Sequence, residues 1–330
     1  MKTQKIAAVL LAITAVVLMA TACGKKEAQT FEYSPFVEED PAIRYYEYGS
    51  DLSDIAMTED GYYQLWQDES YMPYALKKEA VPSVSAYLVE SEQPVGCLII
   101  SPGGGYAMCN GAVSEQVAQY ISEQQGLNVF VLHYRAKPNN YKAILSDELR
   151  AIRFIRYFSD AFHVDKEHIG VLGFSAGGHL ALMAGEHFDY GKSNCDNIDA
   201  VSSRPDVIAL GYPAASMMGE EADSVSCQNF LNGENTEENR IRFSGEKGIR
   251  PDMPPVFVFH CKDDNIVSIE GSYLLAEALE ENKISCTYHW YEKGGHGFGL
   301  GNEADGTADW TNRLQKWLEE QDYPTAKQPK

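Results

Sequence analysis

The chain is poor in positive charge. Its 27 lysines and arginines face 48 aspartates and glutamates, for a formal net charge of -21. Such a balance leaves no basic face for a phosphate backbone, so nucleic acid is excluded as a partner and polyanionic substrates are disfavoured. Closely spaced cysteines are missing too: Cys97, Cys109, Cys195, Cys227, Cys261 and Cys286 lie far apart, and no pair has the spacing of a zinc or redox site. Several fall in strand-like runs where a buried free thiol is the common state, so no disulfide is assigned. Gly191-Lys192-Ser193 lacks the glycine five residues earlier that a phosphate loop needs, since Glu186 stands there, and no Gly-x-Gly-x-x-Gly opens a helix, which argues against a nucleotide. The apolar run at residues 6–19 is too short for a comfortable membrane span.

What is present points to one folded, exported domain. With 44% hydrophobic and 23% charged residues, the chain has the material for a sizeable core. Lys2 and Lys5, the apolar run, and small residues before Cys23 have the order of a targeting signal. Ala20-Thr21-Ala22-Cys23 resembles the lipobox of bacterial lipoproteins, in which the cysteine becomes the lipidated first residue of the mature chain. The expectation is therefore a signal at residues 1–23 and a protein held by a lipid anchor at the outer face of the cell membrane, or else secreted. Residues 24–80 have no sustained periodicity and read as a tether and arm.

From about residue 81 to residue 322 the pattern changes. Short apolar runs at 95–100, 128–134, 169–174, 207–212, 256–260 and 285–291 alternate with helix-patterned stretches at 114–125, 146–158 and 307–320. Runs so continuously apolar suit strands covered on both faces, which predicts an α/β fold with a mostly parallel, doubly wound sheet. Residues 215–255 are long and polar where one crossover helix would suffice, and read as a lid or side wall. Residues 323–330 form a polar tail with two prolines, expected to fray.

Gly173-Phe174-Ser175-Ala176-Gly177 matches Gly-x-Ser-x-Gly, in which a serine sits on a strained turn from strand to helix. Here an apolar run precedes it and a small-residue helix follows. A serine hydroxyl is a weak nucleophile and needs a base within reach, itself oriented by a third group. His296, in the glycine-rich loop after the last run, is the candidate base. Asp263 and Asp264 both stand after the run at 256–260, and the residues alone leave the choice open. His133, His163, His168, His179, His187, His260 and His289 read as ordinary strand, turn or helix residues. Pro102-Gly103-Gly104-Gly105-Tyr106 follows the first run, where backbone amides can turn inward to hold an oxyanion together with that of Ala176.

Pro-Gly-Gly-Gly-Tyr106, Tyr134-Arg135, GFSAGGHLA from Gly173, Asp264-Asn-Ile-Val267 and GGHGFG from Gly294 occur in that order. Together they resemble the acetyl esterase and acetylxylan-esterase-like (BD-FAE-like) branch of the α/β hydrolases. The resemblance implies Ser175 as nucleophile, Asp264 as acid because it stands three residues before Val267, and His296 as base. It implies Gly104, Gly105 and Ala176 as oxyanion donors, and short-chain acyl esters, often acetyl groups on plant sugars, as substrates. It implies neither metal nor organic cofactor; the expected partner is a small-molecule or oligosaccharide ester, with the membrane met only through the lipid. The rival readings are a serine exopeptidase of the same fold and a surface carbohydrate-binding protein without catalysis.

Overall fold

The computed structural model of the chain describes residues 46–76, 80–193, 195–219 and 222–326, all within one compact unit, Phe36–Lys330. Cys23 and the leader fall outside them. Eight strands form one sheet: β1 (Tyr63–Gln64), β2 (Ser83–Tyr87), β3 (Val95–Ser101), β4 (Asn128–His133), β5 (Val164–Phe174), β6 (Ile208–Gly211), β7 (Val256–Cys261) and β8 (Cys286–Tyr291). Their order is β1-β2-β4-β3-β5-β6-β7-β8. β1 pairs antiparallel with β2 and β2 with β4, and every other pairing is parallel.

Alternation along each strand divides the core in two. Cys97, Ile99, Phe130 and Leu132 point to one face, where they meet α2 (Tyr141–Tyr157), α3 (Ala176–His187) and α6 (Ile269–Glu281). Leu98, Ile100, Val129 and Val131 point to the other, against α1 (Gly111–Tyr120) and α7 (Trp310–Glu320). All seven residues of β3 are buried, which is why the run reads as unbroken hydrophobicity. Val95, Leu98, Ile99 and Ile100 each contribute about 1.5–3 kcal/mol by leaving water. This doubly wound sheet is the α/β-hydrolase arrangement that the motifs implied.

The helix at 114–125 begins earlier, at Gly111; its last five residues wind as a π turn that Gly126 ends with φ 74°. Residues 215–255 contain two short helices, α4 (Ser224–Phe230) and α5 (Glu237–Arg242). Phe230 and Phe243 anchor them in the core. α6, outside the stretches read as helix-patterned, buries Ile269, Leu275, Ala276 and Leu279 and is capped by the Ser268 hydroxyl accepting from the Glu270 amide.

Two segments that look irregular in sequence are tied down. Residues 46–76 supply β1, and Tyr48 and Trp66 lay their rings against the buried guanidinium of Arg150, which itself bonds Asp196 and Asp199. The tail expected to fray is held at residues 323–326, and residues 327–330 lie outside the described residues. Tyr323 is buried, the Gly96 amide donates to Pro324 O, and the Ala326 amide donates to Gly126 O. The six cysteines among the described residues are free thiols. None of the described helices is long and apolar enough to cross a membrane.

Candidate active site

The chain leaves β3 toward β4 on one side and returns through β5 on the other, so a crevice opens at the carboxyl ends of β3 and β5. Ser101 and Gly173 pair across that boundary. Directly beyond them stand the glycine loop and Ser175. Ser175 adopts φ 56° and ψ −121°, a strained conformation for a residue with a side chain. The surroundings hold it there: its amide donates to Gly211 O at 3.0 Å, and its carbonyl accepts from His179 N and Ala214 N, each at 3.1 Å. Glycine is required on both sides, because a Cβ at Gly173 would run into the Gly177 carbonyl and one at Gly177 into those of Ser101 and Pro102. The turn therefore presents a half-buried hydroxyl at the head of α3.

His296 reaches that hydroxyl from the loop after β8, with Nε2 2.9 Å from Ser175 Oγ. Its Nδ1 lies 2.6 Å from Asp264 Oδ2. The carboxylate can only accept, so Nδ1 carries the proton of the neutral ring and Nε2 accepts from the serine. Gly294 is what lets the loop pass, since a Cβ there would meet Thr307 and Cys261 Sγ at 2.6 and 2.7 Å. The ring of Tyr212 stands edge-on to the imidazole, with centroids 4.8 Å apart.

It is the Asp264 carboxylate that meets His296. Asp263 has another place, its Oδ1 accepting from the Gly295 amide at 2.8 Å and so bracing the loop one residue from the imidazole. Asp264 Oδ1 accepts from the amides of Ile266 and Val267 at 2.9 and 3.0 Å. Burial alone would raise the Asp264 pKa, but the bonds from His260, His296 and these amides outweigh it and hold the carboxyl below its usual range.

His260, which reads as an ordinary strand residue, is a neighbour that sequence reasoning missed. Its Nε2 lies 3.0 Å from Asp264 Oδ2 and 3.2 Å from Val267 O, two acceptors, so it carries the hydrogen. Nδ1 is then free to accept from the Ser272 hydroxyl at 2.9 Å.

Across the crevice, a Cβ at Gly103 would stand 3.2 Å from that of Ser175, which fixes how near the glycine loop runs. Gly104 and Gly105 have φ 134° and 59°, and their amides find no acceptor among the described residues. The Ala176 amide is the first of α3, where a helix leaves its N–H groups unpaired. Three contacts hold the loop. The Tyr134 hydroxyl donates to Pro102 O at 2.7 Å, and the Asn229 carboxamide of α4 donates to Gly105 O at 2.8 Å. Tyr106 bonds His179 Nδ1 at 2.7 Å, while His179 Nε2 lies 2.8 Å from Phe243 O. The carbonyl can only accept, so Tyr106 donates to a neutral His179, and burial lowers the pKa of that imidazole to about 4. Below the loop the Ser101 hydroxyl donates to Glu148 at 2.6 Å, where burial raises the carboxyl from 4.5 to about 7.

Every site residue proposed from sequence except Cys23 is thus gathered in one crevice. Asn229 and His260 carry no motif, and only their partners mark them. No group of three or more metal-ligating side chains occurs among the described residues.

The BD-FAE family model matches residues 86–279. The endo-1,4-beta-xylanase B of Butyrivibrio fibrisolvens is 33% identical over 243 residues, which are 72% of this chain and 38% of that protein. An acetylxylan esterase of Xylanibacter ruminicola is 27% identical over 215 residues, 64% of this chain and 42% of the other. The chain thus spans less than half the length of these curated relatives. Among solved structures, an acetyl ester-xyloside bifunctional hydrolase from Caldicellulosiruptor lactoaceticus superposes with a TM-score of 0.77 at 35% identity, covering 81% of this chain and 98% of that one.

Proposed function

The chain belongs to the BD-FAE family, and on that premise we propose that it hydrolyses short-chain carboxylic esters, acetyl groups on plant-type carbohydrate above all, through an acyl-enzyme on Ser175. The observation that carries this reading is the unbroken run of hydrogen bonds from Ser175 Oγ through His296 to Asp264.

In the reaction, His296 Nε2 takes the hydroxyl proton as Ser175 Oγ attacks the ester carbonyl. Asp264 keeps the proton of the other ring nitrogen in place and faces the imidazolium that forms. The carbonyl oxygen becomes an oxyanion, held by the amides of Gly104, Gly105 and Ala176, which need no reorganisation to meet it. Collapse expels the alcohol, protonated by His296, and leaves Ser175 acylated. Water, deprotonated by the same imidazole, then releases the acid and restores the serine. No metal or organic cofactor takes part in this sequence.

The carbohydrate side of the proposal is supported by the xylan-directed names of the relatives and of the superposed hydrolase. For location we infer lipid attachment at Cys23 and a site at the outer face of the membrane, supported by the lipobox-like Ala20-Thr21-Ala22-Cys23. Incorporation of labelled palmitate, absent in Cys23→Ala, tests the anchor.

Activity is tested by acetate release from acetylated xylan, mannan and pectin fragments, with Ser175→Ala as the blank. Release by the wild type alone supports the proposal. Equal release by the variant overturns it, and cleavage of aminoacyl anilides in preference to aryl acetates would favour an exopeptidase instead.

A further inference from the structure

Between the segment at 215–255 and the loop that carries Asp264 lies a cavity of about 390 Å³, within the range of ligand sites. Its walls include Asp223 at the head of α4, Lys262, Asn265 and Ile266 after β7, and Glu270 in the first turn of α6. Asp264 itself lines it, and α4, which begins beside the lining residue Asp223, seats on the oxyanion loop, with Val225 3.2 Å from where a Gly105 Cβ would stand.

The surface continues away from the crevice along α6 and β8. Three residues beyond Glu270, on the same helix face, comes Tyr273, whose ring stands edge-on to Trp290 at 5.1 Å and 86°. Trp290 in turn stacks with Tyr288, at 5.0 Å and 16°. Both belong to β8, the last strand of the sheet. Tyr288 is 42% exposed, which leaves it accessible from solvent.

The chemistry of this surface selects its occupant. Lys262, the basic side chain on the cavity wall, is paired with Glu292, while Asp223 and Glu270 add negative charge. A polyanion is therefore repelled, as it is by the chain as a whole. Ile266, 63% exposed, and the aromatic rings offer flat apolar surface beside polar groups. A sugar ring has this same division, with C–H faces that pack on an aromatic plane and hydroxyls around its edge.

We propose that the cavity and the Tyr273, Trp290 and Tyr288 rings form a track that binds the uncharged sugar chain bearing the ester, leading it from the catalytic crevice along α6 and β8. This rests on the ester-hydrolase reading of Ser175 and adds to it a polymeric, neutral substrate.

The test separates binding from hydrolysis. Ser175→Ala protein is titrated with unacetylated xylo-oligosaccharides of two to six units, followed by tryptophan fluorescence and calorimetry, with polygalacturonate as the anionic comparison. Affinity should rise with chain length, fall about tenfold on adding Tyr288→Ala, as expected for one lost stacking contact, and survive Tyr288→Phe. Polygalacturonate should not bind. In the active protein, Tyr288→Ala should lower the ratio of kcat/KM on an acetylated hexasaccharide to that on 4-nitrophenyl acetate, through KM, by a similar factor. Binding that ignores chain length, or a ratio that Tyr288→Ala leaves unmoved, overturns the track. Failure of the ester-hydrolase reading would show separately, as wild-type protein inert toward 4-nitrophenyl acetate.

Discussion

His260 and His296 both bring a ring nitrogen to the same oxygen of Asp264, at 3.0 and 2.6 Å. One histidine faces the nucleophile and the other is fully buried behind the acid. With the two loop amides on the other oxygen, the carboxylate is held by four donors. Its plane, and therefore the direction of the His296 ring, is fixed before substrate arrives.

Removing the hidden donor should loosen that geometry. His260→Ala should lower kcat on an aryl acetate by on the order of tenfold to a hundredfold, the effect of misplacing a reacting group by a fraction of an ångström. KM should move little. His260→Gln, whose amide can donate to Asp264, should recover part of the loss; kcat and KM for both variants at matched folded fraction check this.

The two adjacent acids should separate sharply. Asp264→Asn leaves its one oxygen to the Ile266 and Val267 amides and turns an NH2 donor toward His296, which selects the wrong tautomer, and kcat should fall by about four orders of magnitude. Asp263→Asn keeps an oxygen able to accept from the Gly295 amide and should stay within roughly tenfold. The depressed Asp264 pKa also has a stability sign. Its contribution is present above the ordinary value of 3.8 and is lost as pH falls through the lower folded value. Wild type should therefore lose more stability than Asp264→Asn on acidification below that range, as melting curves would show.

Asn229 ties the covering segment to the oxyanion loop. Asn229→Ala should free the Gly105 carbonyl and let the neighbouring amides drift, lowering kcat by on the order of tenfold. Single-turnover acylation of an aryl acetate should show the loss in the chemical step.

Glu148 predicts a rise in stability for one substitution. In the unfolded chain the carboxyl ionises near 4.5, whereas in the fold it holds its proton to about 7. Folding therefore takes up a proton between those values, and stability falls as pH rises through that window. The loss amounts to roughly 3 kcal/mol once pH exceeds the folded value. Glu148→Gln cannot ionise, so its melting temperature relative to wild type should rise between pH 5 and pH 8.

Much of this was legible from local pattern. A parallel strand buried on both faces must be apolar throughout, so the runs around β3, β4, β5 and β7 announced themselves. The turn at Ser175 needs Gly173 because a Cβ there would meet the Gly177 carbonyl, and Gly177 because one there would meet Ser101 and Pro102 across the sheet; both glycines are visible in the chain. The glycines ahead of Tyr106 and around His296 are visible in the same way. β1 was less visible, because a two-residue strand has no period.

Sequence by itself determined the strand-turn-helix at Ser175, the glycine loops and the order in which candidate acid and base follow. Each depends on short-range sterics or on burial of a continuous run. The tertiary structure set against His296 the acid that the resemblance implied, Asp264, and it alone brought His260 behind that acid, set Asn229 on the oxyanion loop and lined up Tyr273, Trp290 and Tyr288. Those relations join residues on different strands, helices and loops. They depend on where packed elements end in space, and neighbouring residues in the chain carry no trace of them.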